Sequence, residues 1–387
     1  MFLQSLSIQG LRNLETATID WSPGFNYLYG PNGAGKTAIL EAVHALSLGR
    51  SFRTRKTDSL ITHGADGFFI RGAVAGPRLS ESAGGAGAGL VYQLGIARNH
   101  SGQTQLRLNG ENKQRVSDLA RHLPVQVMLP DTSEIVFGAP KRRRSFLDWG
   151  LFHVEHEFLS IATSYNRALA QRNAWLKSLD KTAGAAFDPW AEALLGAGIK
   201  MLSMRSAFLG QWAPRLEVLL QEFDLPGEVT VSLNRGGYEE NMSSAEKKMS
   251  ENWSRDVKFG QTHSGPHRAD LVIQVDGQAA AEVLSRGQAK LVSCALILAQ
   301  IETLREDFSQ PTVVLIDDYG AELDQSHWVK FSQTLRGLGC QVIATSNELP
   351  GRSISEWADP ETFRLFHVEH GRLVAVEFAD NVTEQEN

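Results

Sequence analysis

The sequence predicts an α/β fold: a mixed sheet around a phosphate-binding loop, with an antiparallel β patch and an inserted lobe of long helices. Three observations carry this. Strand and helix patterns alternate at both ends of the chain, the glycine-rich stretch GPNGAGKT falls at a strand-to-helix junction, and residues 142–223 change to long helical periodicity.

Taken in order, FLQSLSIQGL and ETATIDW alternate apolar and polar residues and predict two strands. GFNYLY leads into the loop, and TAILEAVHALSL follows with helical spacing at Ile39, Leu40, Val43 and Leu46, with Gly49 as its C-cap. FFIRGAV, LVYQLGIAR and TQLRLNG predict the antiparallel patch, and SESAGGAGAG, from Ser80, a flexible surface loop between two of its strands. RSFLDWGLFHVEHEFLSIATSYNRALAQRNAWLKSL and PWAEALLGAGIKMLSMRSAFLGQWAPRLEVLLQEF predict an antiparallel helical hairpin that turns at KTAGAAFD, residues 181–188. EVTVSL is a strand and YEENMSSAEKKMSENWSRD a polar helical stretch. ADLVIQVDG, QAKLVSCALILAQIETL and TVVLIDD then read as strand, helix and strand, followed by a helix, the strand CQVIAT and a frayed tail, DNVTEQEN. The expected organisation is an α/β head from residues 1–141 and 261–387, interrupted by a mainly helical lobe at 142–260.

Hydrophobic content of 42% and charged content of 21% are ordinary for a folded soluble chain, and a net charge of −6 excludes a uniformly basic surface. The two cysteines, Cys294 and Cys340, lie in apolar segments and read as buried thiols of a reducing compartment. The N-terminus lacks the basic start and apolar centre of a signal peptide, and the most apolar run, residues 291–301, is too short to span a bilayer. A cytoplasmic protein is expected.

GPNGAGKT fits G-x-x-x-x-G-K-[ST]. In Gly30, Pro31, Asn32, Gly33, Ala34 and Gly35 the glycines let backbone N–H groups curl around phosphates; Lys36 reaches the terminal phosphates, Thr37 offers a hydroxyl to Mg²⁺, and the following helix adds its positive end. In VVLIDDYGAELD, two carboxylates end a buried strand, where open α/β sheets bind ligands. Asp317 is expected on Mg²⁺ and Asp318 as the group that orients and deprotonates the attacking water.

One side of a triphosphate in that loop stays open. LSRGQAK, opening the helix after Leu284, is suited to close it: Ser285 gives a hydroxyl, Gly287 lets backbone approach, and the helix dipole favours a γ-phosphate. The segment can press on a nucleotide held by a second copy, so that ATP joins two protomers and hydrolysis releases them.

The ordered trio GPNGAGKT, LSRGQAK and LIDDYGAELD resembles the head of ABC-type ATPases. LRN at Leu11, GRSFRT at Gly49, PKRRRSFLDWG at Pro140 and THSGPHRADL at Thr262 bring the resemblance, over almost the whole chain, to the SMC-like DNA-repair branch and its RecF family. The resemblance implies that Ser285, Arg286, Gly287 and Gln288 form the signature segment, that residues 321–324 form the dimer-interface loop, and that Gln126 in LPVQVML is the candidate for the Gln loop. Asp318 stands where most ABC proteins have Glu, implying slow hydrolysis, and Ser346 stands where many have a switch His. It further implies an ATP- and Mg²⁺-dependent homodimer on single-stranded gaps and gapped duplex DNA, a weak DNA-stimulated ATPase that acts with the RecR and RecO mediators, supports RecA loading and leads to SOS induction. Two alternatives stand beside it: an ATP-gated DNA clamp with incidental hydrolysis, and the ATPase subunit of a membrane transporter.

Other signals are ambiguous. LFHVEH occurs twice, at Leu151 and Leu365, once in a helical and once in a strand-like setting; H-x-x-H is not zincin spacing, and the repeat reads as coincidence. Residues 141–181 hold eight basic against four acidic side chains, so Arg142, Arg143, Arg144, Arg167 and Arg172 are candidates for DNA phosphate contact, the alternative being a solvated face or internal pairing. Arg12 either approaches the phosphates or is structural. GPHR, at Gly265, is a tight turn without an assigned chemical role.

Overall fold

A computed structural model describes residues 1–54, 56–76, 90–180, 187–223, 225, 227–239, 241–309, 311–320, 325–349, 359 and 361–376. The loop from Ser80, most of the turn at 181–188, the interface loop at 321–324 and the C-terminal tail lie outside the described residues.

The chain forms two compact units, Met1–Thr132 with Arg305–Asn387, and Ser133–Leu304. In the first, β1 (Phe2–Leu11), β2 (Leu14–Asp20), β4 (Gly67–Ala75), β5 (Val91–Asn99), β6 (Thr104–Leu108) and β7 (Glu111–Lys113) make an antiparallel sheet in the order β2-β1-β4-β5-β6-β7. The second sheet runs β15-β14-β3-β13-β12-β8, from β3 (Phe25–Tyr29), β8 (Val125–Met128), β12 (Val313–Ile316), β13 (Gln341–Ser346), β14 (Phe363–Glu369) and β15 (Arg372–Val376). Its pairings are parallel except for the β14–β15 hairpin. The two sheets differ in pattern as their geometry requires. Burial alternates along β4, whereas all four residues of β12 and all six of β13 are buried, as in a parallel strand covered on both faces.

Helix α1 (Lys36–Leu48) contacts strands of both sheets, β1, β4 and β5 on one side, β8 and β13 on the other. That position explains its composition. It is buried nearly all round, from Ala38 to Ser47, so it lacks a polar face. Gly49 closes it in the left-handed conformation (φ 64°), its N–H bonded to the Ala45 carbonyl, as expected.

In the second unit, α4 (Pro140–Val154) and α5 (Phe158–Ser178) replace the single long helical pattern of the sequence; the break falls at Glu155, whose backbone is extended. Helix α6 (Ala191–Glu222) packs on α5; buried side chains include Tyr165 and Ala168 on α5 and Leu202 and Leu209 on α6. The polar stretch forms two short helices, α7 (Met242–Glu251) and α8 (Trp253–Phe259). Strands β9 (Val229–Asn234), β10 (Asp270–Val275) and β11 (Gln278–Ala279) form a third sheet. Because β9 pairs with β10, the stretch after residue 260 is compact with the helical lobe, and the division falls near 133 and 304 where the sequence suggested 142 and 260.

Candidate functional site

The phosphate loop joins β3 to α1 and is braced by neighbours that are distant in sequence. Asn13 donates its side-chain N–H to the Gly33 carbonyl (2.9 Å), and Gly371, at the β14–β15 turn, donates its N–H to Ala34 (2.8 Å). A side chain at Gly30 would collide with the Val368 carbonyl, and φ at Gly35 is 116°, so both positions require glycine. Lys36 is buried (8% exposed) and donates to the carbonyls of Gly30 (2.6 Å) and Pro31 (2.9 Å) and to Asn347 Oδ1 (3.0 Å). Burial lowers its pKa; the charges of Asp317 and Asp318 oppose that shift.

Thr37 Oγ1 donates to Asp317 Oδ1 at 2.9 Å, and Thr345 Oγ1 donates to the same oxygen at 2.9 Å. The Asp318 N–H donates to Thr345 Oγ1 (3.0 Å), so the C-terminal ends of β12 and β13 and the start of α1 share one polar junction. Thr37 and Asp317 present hard oxygens side by side, the donor type of Mg²⁺ sites that take few protein ligands and complete themselves with phosphate and water. Asp318 is exposed and holds φ 62°. Short Asp and Asn side chains tolerate that left-handed backbone better than Glu does, which gives a local reason for Asp at this position. Nearby, burial pushes the Tyr27 hydroxyl up to about 12; it donates to the Glu348 carbonyl (3.3 Å).

Lys36, Thr37, Asp317, Asp318 and Thr345, with Asn32, Arg12, Arg53, Pro130 and Ser346, line a cleft of about 650 Å³. The sequence reading missed what holds its arginines. Glu41, a lone carboxylate in the apolar run of α1, is fully buried. It receives Arg12 Nε (3.0 Å) and Nη2 (2.8 Å), accepts from the Ser51 hydroxyl, and lies 3.8 Å from Arg53. A charged residue on a helix otherwise buried all round was the available signal. Arg12 is therefore both structural and on the cleft wall. Gln126 lies within β8, in register with Val314, and is not among the lining residues; Pro130, beyond that strand, is.

The signature segment belongs to the other compact unit and opens α10 (Arg286–Phe308). Ser285 and Gln288 cap each other: the Ser285 N–H donates to Gln288 Oε1 (2.9 Å) and the Gln288 N–H to Ser285 Oγ (3.3 Å). This is a capping box, where the sequence pattern suggested only a phosphate-facing segment. Ser285, Arg286 and Gly287 are exposed, and a side chain at Gly287 would meet open space.

The DNA-contact candidates need correction. Arg172 is fully buried, pairs with Asp188 (2.7 Å) and Asp256 (2.7 Å), and donates to Thr262 (2.7 Å), so it is not a surface cation. Arg143 binds both oxygens of Asp270 (2.7 and 2.8 Å), and Arg144 donates to the Ala269 carbonyl (2.7 Å). Arg142 and Arg167 are exposed. The GPHR turn is part of a buried polar network. The Tyr165 hydroxyl meets His267 Nδ1 at 2.6 Å, and His267 Nε2 lies 2.9 Å from the Thr262 carbonyl. Both His267 nitrogens are engaged and burial lowers its pKa to about 4. His153 and His367 occupy a helix and a strand respectively, and no cluster of three or more metal-ligating side chains occurs among the described residues.

The chain matches the family model described as the RecF/RecN/SMC N terminal domain over residues 2–370. It is 38% identical over 377 residues to the DNA replication and repair protein RecF of Stutzerimonas stutzeri (strain A1501), covering 96% of this chain and 97% of that one. To the RecF protein of Pseudoalteromonas translucida (strain TAC 125) it is 35% identical over 378 residues, covering 97% and 100%. Among solved structures, one described as the recombination mediator protein RecF-ATP in the RecFOR pathway shares its fold with a TM-score of 0.82 at 24% identity, over 97% of each chain. An Smc head bound to the C-winged helix domain of ScpA gives 0.57 at 15% identity, over 98% and 99%. The fold is that of the SMC/RecF type of ABC ATPase head.

Proposed function

This chain belongs to the RecF family within the RecF/RecN/SMC group, and from that premise we propose that it is an ATP-dependent DNA-binding protein of recombinational repair and replication restart. The observation that carries the reading is the convergence of Lys36, Thr37 and Asp317 in one braced cleft at the C-terminal ends of parallel strands. Lys36 exchanges its carbonyl partners for the terminal phosphates of ATP. Thr37 and Asp317 would hold Mg²⁺, which would supply charge neutralisation at the phosphate oxygens. Asp318, exposed at the mouth, orients the attacking water and takes its proton.

The remaining side of the nucleotide is closed by Ser285, Arg286, Gly287 and Gln288 of a second copy. The capping box holds the helix N-terminus open to solvent with its dipole available, which suits it to receive a γ-phosphate. Two chains thereby close around two ATP molecules on DNA at single-stranded gaps and gapped duplex, and slow hydrolysis reopens them. The relative described as RecF-ATP supports ATP as ligand, and the RecFOR pathway named with it supports RecO and RecR as partners, with RecA loading and SOS induction downstream. The match to RecF relatives over almost the whole chain favours this reading over a transporter subunit.

Sedimentation velocity with and without ATP tests it. Wild type is expected to become dimeric with ATP, and Ser285→Arg to stay monomeric while still binding ATP. Dimers insensitive to both ATP and the substitution would remove the mechanism.

A further inference from the structure

The basic run after Pro140 and the segment after the GPHR turn, far apart in sequence, interlock. Arg143 presents Nε and Nη2 to the two carboxylate oxygens of Asp270, the first residue of β10. Its third nitrogen, Nη1, donates to the carbonyls of Gly138 (2.7 Å) and Val136 (3.2 Å) at the C-terminal end of α3 (Glu134–Phe137). Arg144 adds the Ala269 carbonyl. Only a guanidinium has the planar fork to do both jobs at once. The Arg143 and Asp270 side chains are 13% and 22% exposed, so the pair is poorly screened.

What these elements support is the segment before the signature. Helix α9 (Ala280–Val283) packs against both α3 and β10. Leu284, its C-cap, is buried, and Ser285 follows directly. Arg143 thus ties together the two elements on which α9 rests, and α9 delivers Ser285.

We propose that Arg143 and Asp270 form a strut that positions the signature segment for a second copy's nucleotide, so that this part of the basic run serves dimerisation and does not contact DNA. The proposal rests on the reading of Ser285 to Gln288 given above, but its test separates the two. Asp270→Asn keeps shape and removes the charge; Arg143→Lys keeps charge and removes the fork. In both, the ATP affinity of the monomer stays within about twofold, since the phosphate loop lies in the other compact unit. The ATP-dependent dimer weakens about tenfold, the scale of one charged hydrogen-bond pair. Hydrogen exchange accelerates at residues 280–290. Circular dichroism matching wild type certifies folding of each variant; should one fail to fold, the other carries the test. A wild type that does not dimerise with ATP sinks the underlying reading. A wild type that does, with both variants dimerising equally well and exchange at 280–290 unchanged, overturns the strut. DNA affinity falling in Arg143→Lys with dimerisation intact overturns it in favour of phosphate contact.

Discussion

Residues 30–37 are held by other parts of the chain, while the segment that opens α10 satisfies itself. The loop has Asn13, Gly371, Asn347 and the Val368 carbonyl against it, and its lysine already makes three hydrogen bonds. At the other segment, Ser285 and Gln288 trade hydrogen bonds with each other, and Ser285 stays exposed. The difference teaches where each element meets its ligand. A preorganised, half-buried loop suits a nucleotide that one chain binds alone. An exposed helix N-terminus, its end groups capped by its own box, suits a partner that arrives later and must also leave.

Substitutions should separate these two kinds of construction. Asp318→Asn preserves the left-handed backbone, which Asn also tolerates, and removes the base. Turnover is expected to fall about a thousandfold, measured as phosphate release, with ATP-joined dimers surviving longer on DNA. If release from DNA is unchanged while turnover falls, hydrolysis is incidental and the clamp alternative gains. Lys36→Ala should weaken ATP binding about a hundredfold, read by calorimetry, and leave hydrogen exchange at residues 280–290 as in wild type. A matching change there would mean the two segments are not independently built.

Both effects rest on residues that the sequence displayed, because their information is local. GPNGAGKT needs only its own glycines and a strand and helix on either side, and VVLIDD shows a buried parallel strand by its unbroken apolar run. The antiparallel patch and α1 with its glycine cap were legible for the same reason. What was not legible depends on residues far apart in sequence. For the basic run around Arg143 the sequence offered internal pairing as an alternative but could not name the partner, which is Asp270; Arg172 finds Asp188 and Asp256. The strand pairing of β9 with β10 likewise joins distant stretches and moves residues 261–304 into the helical unit. Ser285 is the instructive intermediate. Its pattern was visible and was read as a phosphate-facing hydroxyl; what the structure shows is a cap.

The hub beneath the cleft offers a third probe. Glu41→Gln leaves Arg12 and Arg53 without their buried counter-charge, and about 3 kcal/mol of stability should be lost, measured by urea unfolding, together with weaker ATP binding. A variant as stable as wild type would show that the arginines are held by other means. The smallest expected effect concerns pH. His44, on the same helix, is buried with Nδ1 at 2.6 Å from the Arg50 carbonyl, and burial lowers its pKa to about 4 from 6.5. Its neutral form is favoured in the folded state, so its contribution is complete above pH 6.5 and is lost progressively as pH falls towards 4. His44→Asn can keep the donor to Arg50 and should flatten that part of the acid limb of thermal stability; an unchanged slope would assign it to other groups.

The most direct test of the central claim is a structure of the protein with a non-hydrolysable ATP analogue, Mg²⁺ and gapped DNA. Each γ-phosphate should sit on Lys36 and Thr37 of one chain and within hydrogen-bond reach of Ser285 and Gly287 from the other. A nucleotide fully enclosed by one protomer, with residues 284–290 turned away from every phosphate, would contradict the account.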